Sequence, residues 1–247
     1  MTAPVFLVPA EALHSDVVVV DGDEGHHAAR VLRVRAGEAV VVTDGRGASV
    51  EGVVHDVDGG TVRVSVLRRE QLPLPQPRIV VAQAVPKGDR AELAVQLMTE
   101  VGVDVVVPWM ARRCEVRWDG DRAAKARARW QRTADAATKQ ARRRWALQVD
   151  PPATTADLVE RVGSAAGALV LDAEASQPLS GLEVPSMGDV LLVVGPEGGL
   201  DPDEVGALED AGAVSCRLGP TVLRTSSAGA VAAALLLAAT ARWALTP

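Results

Sequence analysis

A proline-rich stretch, Leu72-Pro73-Leu74-Pro75-Gln76-Pro77, divides the sequence into two parts of different character. Prolines at alternate positions hold the backbone extended, and proline can neither donate to a sheet ladder nor continue a helix. No central strand or helix can therefore run through this stretch. The sequence predicts a small domain over residues 1–72, a linker over residues 73–77 and a larger domain over residues 78–247.

The part before the linker is predicted to be mostly β-structure. Its β-rich segments are separated by turn residues, among them Asp44-Gly45 and Asp58-Gly59-Gly60, which are typical of hairpins. The segments are residues 17–20, 39–43, 49–57 and 61–67. Between the first two, residues 24–34 have helical spacing at Ala28, Val31, Leu32 and Arg35, which predicts a helix with these positions on one face. A small β-barrel with one helix is the simplest fold for this part.

The part after the linker alternates strands and helices. Apolar runs predict strands at residues 79–85, 103–107, 168–171, 190–194 and 214–218. Helical spacing predicts a helix capped by Asp89 that packs Leu93, Leu97, Met98 and Val101 on one face. Further helices are predicted over residues 121–144, 156–162, 202–211 and 226–243. This alternation is typical of an α/β fold, in which helices cover both faces of a mostly parallel sheet.

One predicted strand, residues 190–194, ends in the loop Gly195-Pro196-Glu197-Gly198-Gly199. The next helix is expected to begin with Asp201 as its cap and Pro202 in its first turn, and Glu204 is placed to complete a capping box. A glycine-rich loop between a buried strand and a helix lies at the edge where open α/β sheets bind ligands. The sequence therefore predicts a ligand site at this loop.

The charges around the loop bear on the kind of ligand. A helix N-terminus can bind a phosphate, but the acidic side chains here would repel a pyrophosphate. These acids are Glu197, Asp201, Asp203 and Glu204. An acidic, glycine-lined loop suits a ligand with an adenine, a ribose and a positive centre. S-adenosylmethionine, whose sulfur is cationic, is such a ligand.

Positive charge is concentrated in one stretch although the whole chain has a net charge of −6. Residues 111–145 contain twelve basic and four acidic residues, and ten of the twelve are arginine. Arginine pairs with phosphates through its planar guanidinium group, so this stretch favours contact with a nucleic acid. Arg30 and Arg33 belong to a second basic group in the predicted barrel.

Composition argues against several other classes of protein. Two cysteines and four histidines, without the spacing of metal ligands, predict neither a metal site nor a disulfide framework. The first residues lack the pattern of a signal peptide, so a reducing cytoplasmic setting is expected. The apolar, alanine-rich residues 228–241 are expected to form a buried helix rather than a membrane span.

Several motifs in order along the chain resemble one family. The sequence GPEGG after a buried strand, followed by Leu218-Gly219-Pro220-Thr221-Val222-Leu223-Arg224 and a helix of small residues, resembles the RsmE-type ribosomal RNA methyltransferases of the SPOUT class. The N-terminal run from His27 to Arg33, followed by Gly37, is similar to the H-x-x-x-VLR-x-x-x-G pattern of that family. Similar elements begin at Lys87 and at Trp130, so the resemblance covers nearly the whole chain.

The resemblance implies a fold and an activity. The implied fold is a PUA-like β-barrel followed by a SPOUT-type α/β domain with a trefoil knot. The implied protein is a homodimer that uses S-adenosylmethionine to methylate N3 of a uridine in 16S ribosomal RNA or in the small ribosomal subunit. It would act without a metal and away from membranes.

The family motifs also imply site residues. Arg224 is the expected catalytic residue, stabilising negative charge on the uracil oxygens, although a phosphate contact and a structural salt bridge to Glu197 are alternative roles. The implied cofactor pocket consists of Leu171, Val194, Gly195, Pro196, Glu197, Gly198, Leu218, Gly219, Val222 and Leu223. The expected RNA-binding residues are Arg30, Arg33, Arg112, Arg113, Arg142 and Arg143.

The sequence departs from the family at Ser226, where a glutamate is usual. Ser226 is expected to cap the last helix, and the acceptor of the N3 proton is not identified. Two alternatives stay open: a SPOUT methyltransferase that acts on another RNA site, and a non-catalytic RNA-binding protein of ribosome assembly. The exact nucleotide, and the choice between free RNA and an assembled subunit, also stay open.

Overall fold

The computed structural model describes residues 3–88 and 90–244, so the predicted cap Asp89 lies outside the described residues. The chain forms two compact units. The first consists of the chain up to Leu74 together with Asp135–Ala146, and the second consists of Pro75–Ala134 and the chain from Leu147 onward. The first unit therefore includes a segment that lies far beyond the proline-rich stretch in the sequence.

The first unit is built on a five-stranded sheet in the order β1-β3-β4-β5-β2. Its strands are β1 (Val5–Leu7), β2 (Val17–Val20), β3 (Ala39–Thr43), β4 (Ala48–Asp58) and β5 (Thr61–Gln71). β1 runs parallel to β3, and the other neighbours are antiparallel. The predicted strands are confirmed, and the three-residue β1 was too short to be recognised. Alternate residues such as Val62 and Val64 are fully buried, which gives this unit its own core.

The helix predicted between β2 and β3 has an unexpected form. A short helix α1 (Gly22–His26) leads into a π-helical turn, His27–Leu32. Ala28 is buried, but Val31 and Leu32 are exposed, so the three positions do not share one face as their spacing predicted. A π-turn has more residues per turn than an α-helix, and it rotates these positions away from the face that Ala28 occupies.

The second unit contains a six-stranded parallel sheet in the order β11-β9-β10-β6-β7-β8. Its strands are β6 (Arg78–Ala84), β7 (Val105–Trp109), β8 (Gln148–Val149), β9 (Gly167–Leu171), β10 (Asp189–Val194) and β11 (Val214–Cys216). The parallel α/β fold is confirmed. β10 pairs with both β6 and β9, so β9, β10 and β11 lie on the opposite side of β6 from β7 and β8. The trefoil knot stays a prediction.

Helices cover both faces of this sheet. They are α2 (Arg90–Val101), α3 (Gly120–Gln140), α4 (Thr155–Ser164), α5 (Pro202–Asp210) and α6 (Thr225–Ala238). Ile79 and Val81 of β6 pack in one core with residues of α2 and α6, whereas Val80 and Ala82 pack in a second core with residues of α4 and α5. Because successive side chains of a strand point to opposite faces, one central strand serves both layers.

The apolar segment near the end of the chain forms the buried helix α6. Among the described residues, no helix combines the length and the apolar character that crossing a bilayer requires. On α2, Met98 is buried and Leu97 and Val101 are partly buried, but Leu93 is exposed, so the prediction that Leu93 faces the core is wrong. The core face of α2 instead uses the small side chains of Ala91 and Ala94.

Candidate active site

Strands β6, β9, β10 and β11 end at the same edge of the second sheet, beside one cavity of about 880 Å³. Its walls come from the ends of β9, β10 and β11 and the segments after them, and from α2, α5 and α6. The lining residues are 171–174, 194–197, 199, 200, 202, 205, 206, 209, 216–219, 221–225, 228 and Arg90. The cavity lies where β10 inserts between β6 and β9, which is the switch point at which open α/β sheets bind ligands. Its volume is in the range of small-molecule sites.

The structure brings most of the predicted cofactor-binding residues together. Nine of the ten line this cavity: Leu171, Val194, Gly195, Pro196, Glu197, Leu218, Gly219, Val222 and Leu223. Gly198 does not line it. A Cβ atom on Gly198 would lie 3.3 Å from the backbone oxygen of Arg113, so this glycine permits close packing of two loops. The role of the nine residues in binding a cofactor stays a prediction.

The cavity walls combine apolar and acidic side chains. Leu171, Val194, Leu218 and Leu223 provide apolar surface, whereas Asp172, Glu174, Glu197 and Glu209 provide carboxylates. Burial raises the pKa of the Cys216 thiol to about 11, so this thiol stays neutral near pH 7. The cavity therefore offers a ligand both apolar surface and negatively charged groups.

A buried chain of hydrogen bonds holds the glycine loop against α6. The Thr225 hydroxyl donates to the Gly195 carbonyl oxygen at 2.6 Å and accepts from Gln83 Nε2 at 3.1 Å. Gln83 is fully buried at the end of β6, and its Nε2 also donates to the Ala84 carbonyl oxygen. Sequence analysis missed both residues, although a glutamine in an otherwise apolar strand was a signal.

The helix after the glycine loop begins as predicted, with one difference. The Asp201 carboxylate accepts a hydrogen bond from the Asp203 backbone N–H, and Pro202 occupies the first turn. The predicted capping box is wrong, because the Glu204 carboxylate accepts from the backbone N–H of Arg112 at 3.0 Å and from the Thr155 hydroxyl at 2.6 Å. Glu204 is only 6% exposed, so it ties the segment after β7 to α4 and α5.

Arg112 and Arg113, predicted to contact RNA, lie beside this helix. Arg112 Nη1 pairs with Asp201 at 2.7 Å and with Asp203 at 2.8 Å, and Arg113 Nε lies 3.7 Å from Asp201. The hydrogen bond to Asp203 and the charge of Asp201 raise the pKa of Arg112 above its usual value. The charge of Arg112 is therefore already balanced within the unit.

Three other arginines line the cavity: Arg90, Arg217 and Arg224. Within residues 3–88 and 90–244, none of the three forms an ion pair, and Arg224 does not bridge to Glu197. Sequence analysis missed Arg90, because it lies more than 100 residues before the motifs that defined the pocket. These guanidinium groups are free to meet a ligand.

Ser226 does not take the place of the usual glutamate at the cavity. It is 5% exposed, lies in the first turn of α6 and is not among the cavity-lining residues. The prediction that it caps α6 is wrong, since the helix begins at Thr225 and Arg224 occupies the capping position. Within the glycine loop itself, the described residue with a carboxylate at the cavity is Glu197.

The remaining predicted RNA-binding residues lie in the first unit: Arg30, Arg33, Arg142 and Arg143. Arg33 ends the π-turn and Arg142 follows the end of α3. Both have left-handed backbones, with φ of 55° and 54°, and among the described residues they are the only non-glycine residues with positive φ. Such a conformation is uncommon for a residue with a side chain and often accompanies a functional site.

The part of the chain that the structure describes contains no group of three or more potential metal ligands. Cys114 and Cys216 are both buried free thiols.

Comparison with known proteins agrees with this architecture. A family model for an RNA methyltransferase domain matches residues 73–237, and a model for an RNA methyltransferase PUA domain matches residues 20–67. The chain is 47% identical to ribosomal RNA small subunit methyltransferase E of Mycobacterium bovis, over 98% of this chain and 94% of that protein. It is 30% identical to the protein of the same name from Bacillus subtilis, over 85% of each chain.

Two solved structures are similar to this chain over nearly its whole length. Ribosomal RNA small subunit methyltransferase E from Neisseria gonorrhoeae, bound to S-adenosyl methionine, matches with a TM-score of 0.82 and 28% identity over 96% of this chain and 98% of that chain. A Legionella pneumophila protein in complex with the cofactor SAM matches with a TM-score of 0.86 and 27% identity, over 97% and 99% of the two chains.

Proposed function

Because the chain belongs to the ribosomal RNA small subunit methyltransferase E family, we propose that it transfers the methyl group of S-adenosylmethionine to N3 of a uridine in 16S ribosomal RNA. The observation that carries this proposal is the cavity at the ends of β9, β10 and β11, which combines apolar walls, carboxylates and the unpaired Arg224.

The residues of the cavity suit S-adenosylmethionine. The adenine ring can pack on Leu171, Val194, Leu218 and Leu223, and carboxylates favour its cationic centres. The chain of hydrogen bonds from Gln83 through Thr225 fixes the orientation of the Gly195 carbonyl group. We assign the nine cavity-lining residues predicted from the sequence to this cofactor, and Gly198 to the packing of the loop.

The reaction requires one proton to leave uracil and one methyl group to arrive. When bound, S-adenosylmethionine supplies an electrophilic methyl group on a cationic sulfur. As N3 of uracil loses its proton, negative charge spreads onto the neighbouring oxygens. We assign the stabilisation of that charge to Arg224. This assignment is supported by its position in the cavity lining, without an ion pair in the described part of the chain. Binding both reactants in one cavity supplies proximity and orientation.

The RNA is bound through arginines. Arg30, Arg33, Arg142 and Arg143 of the first unit contact phosphates of the RNA. The substrate is 16S ribosomal RNA or the small ribosomal subunit, and the reaction takes place in the cytoplasm.

The enzyme acts as a homodimer. Helices α2 and α6 pack together and expose Leu93, Val231 and Leu235, and Val222 is exposed at the cavity. A second copy of the chain would remove these apolar side chains from water. Light scattering should give twice the chain mass for the wild type and a lower mass for the Leu93→Glu, Leu235→Glu variant. A monomeric wild type would contradict the dimer.

Mapping of modified nucleotides tests the function. Small-subunit RNA from cells without the gene should lack one 3-methyluridine, which the wild-type gene restores and Arg224→Ala does not. A methyl group lost at a different RNA or a different atom would support a methyltransferase with another target. If calorimetric titration shows no binding of S-adenosylmethionine under reducing conditions, the chain is a non-catalytic RNA-binding protein instead.

A further inference from the structure

The π-helical turn His27–Leu32 presents two large apolar side chains to solvent. Val31 is 64% exposed and Leu32 is 45% exposed. Burial of an apolar side chain stabilises a fold, so these two exposed side chains contribute little of that stabilisation to this unit. Arg30 and Arg33 flank the pair and are themselves exposed. The turn therefore offers an apolar tip, Val31 and Leu32, between two cations.

The backbone of the turn is held in one shape. Arg33 ends it in a left-handed conformation, and the Val34 N–H donates to the Ala28 carbonyl oxygen at 3.1 Å. In α1, just before the turn, Gly25 lies so close to Val20 and Gly60 that a Cβ atom would approach their carbonyl oxygens to 2.5 and 2.4 Å. The helix α1 that leads into the turn is thus packed closely against Val20 of β2 and against Gly60, and it supports the tip.

The charge around the tip indicates the class of its partner. Glu24 of α1 accepts a hydrogen bond from the Leu7 backbone N–H at 3.1 Å and forms an ion pair with Lys139 of α3 at 2.6 Å. This partly buried pair joins the support of the tip to the end of α3, where Arg142 is exposed. The π-helical turn and the end of α3 therefore both carry exposed arginines in the first unit. A surface with such positive charges favours the binding of a polyanion.

We propose that Val31 and Leu32 form a wedge that packs against unstacked bases of the target RNA, while Arg30 and Arg33 hold the adjacent phosphates. This inference rests on the proposed function, because a uridine that is stacked in folded RNA cannot present N3 to a protein cavity. Unstacking a base costs free energy, and an apolar side chain that covers the exposed base faces offsets part of that cost.

The test compares two double variants on small ribosomal subunits from cells that lack the gene. Val31→Ser, Leu32→Ser should lower both the affinity for these subunits and kcat/KM about tenfold, since the apolar contact with the bases is lost. The slope of log affinity against log salt should stay as in the wild type. Arg30→Gln, Arg33→Gln should reduce that slope by about 1.4, as expected for two lost contacts to single-stranded phosphates.

Leu67→Ser is the matched control, because Leu67 is 72% exposed on β5 of the same unit and lies outside the turn. It should leave affinity, slope and kcat/KM unchanged. Wild-type affinity and kcat/KM in the Val31→Ser, Leu32→Ser variant would overturn the wedge. A change in oligomeric state of this variant, measured by light scattering, would also overturn it, because the tip would then be a contact between protein chains. If the wild type transfers no methyl group, the proposed function fails, and affinity alone then decides on the wedge.

Discussion

Two groups of arginines in the second unit differ in what their charges meet. Arg112 and Arg113 lie against Asp201 and Asp203 at the start of α5, whereas Arg90, Arg217 and Arg224 line the cavity without an ion pair in the described residues. A guanidinium group whose charge is balanced locally contributes to the fold. An unpaired one in a cavity is available to a substrate.

The acids explain the first group. Asp201 caps α5 and Asp203 lies in its first turn, where the helix dipole favours negative charge. Arg112 then balances those carboxylates, while its backbone N–H donates to the buried Glu204. These contacts hold the segment after β7 beside the glycine loop. The two arginines therefore support the wall of the cavity but do not line it.

The largest effect is expected for Arg224→Ala. Removing a donor that stabilises developing charge typically lowers kcat by 10²- to 10³-fold, and we expect a loss of about that size. Single-turnover methylation of small ribosomal subunits measures it. The dissociation constant of S-adenosylmethionine, measured by calorimetry, should change less than about threefold, because the guanidinium group acts on the uracil.

Arg224→Lys separates charge from geometry. Lysine keeps the positive charge but lacks the planar fork, so it should recover only part of the lost rate. Full activity in Arg224→Ala, or loss of cofactor binding together with activity, would contradict the distinction between the two groups.

A paired arginine elsewhere in this unit should affect stability and not chemistry. Arg242 forms a two-pronged pair with Asp104, with distances of 2.5 and 3.1 Å, and also donates to the carbonyl oxygens of Pro77 and Gly102. Arg242→Ala leaves a buried carboxylate without its arginine, so we expect a loss of about 3 kcal/mol in the free energy of unfolding. Urea denaturation measures this loss.

Asp104→Asn and the double variant with Arg242→Ala provide the control. If the two groups act as a pair, the double variant should lose less stability than the sum of the single changes. The folded fraction of Arg242→Ala should methylate at the wild-type rate. A slow but fully stable Arg242→Ala protein would show that pairing does not distinguish structural from catalytic arginines.

Arg90→Gln is expected to have an intermediate effect. Arg90 lines the cavity at the start of α2, so we expect it to hold a phosphate near the target uridine. Its loss should raise KM for the RNA about threefold to tenfold and reduce the salt slope of binding by about 0.7, with kcat nearly unchanged. A fall in kcat at constant KM would instead place Arg90 with Arg224 in the reaction itself.

The order of the elements could be predicted from the sequence because each long element has a clear period. Every predicted strand in residues 17–67 is present, as is the parallel alternation after the linker. Short strands such as Val5–Leu7 and Gln148–Val149 have no period to detect. Val31 and Leu32 were misplaced because a 3.6-residue period was assumed where the chain forms a π-turn.

The candidate site could be predicted where its residues lie in continuous motifs, as in residues 194–197 and 218–224. Arg90, Gln83 and Thr155 were missed because folding brings them to the site from distant strands and helices. The partners of Glu204 are also distant, so a local rule predicted a cap where the side chain reaches another segment. Sequence identifies charged residues but does not show which charges are paired.

Arg112→Ala is therefore the smallest and most discriminating prediction. The sequence placed Arg112 among the RNA-binding residues, but its guanidinium group is held by Asp201 and Asp203. Exposed ion pairs contribute little to stability, so the melting temperature should barely change. Affinity for small ribosomal subunits should change less than about twofold with an unchanged salt slope, whereas Arg33→Ala should reduce that slope by about 0.7. If Arg112→Ala weakens binding as much as Arg33→Ala does, an arginine that forms an ion pair within the protein can still bind RNA. The pairing of an arginine would then not indicate whether it has a structural or a functional role.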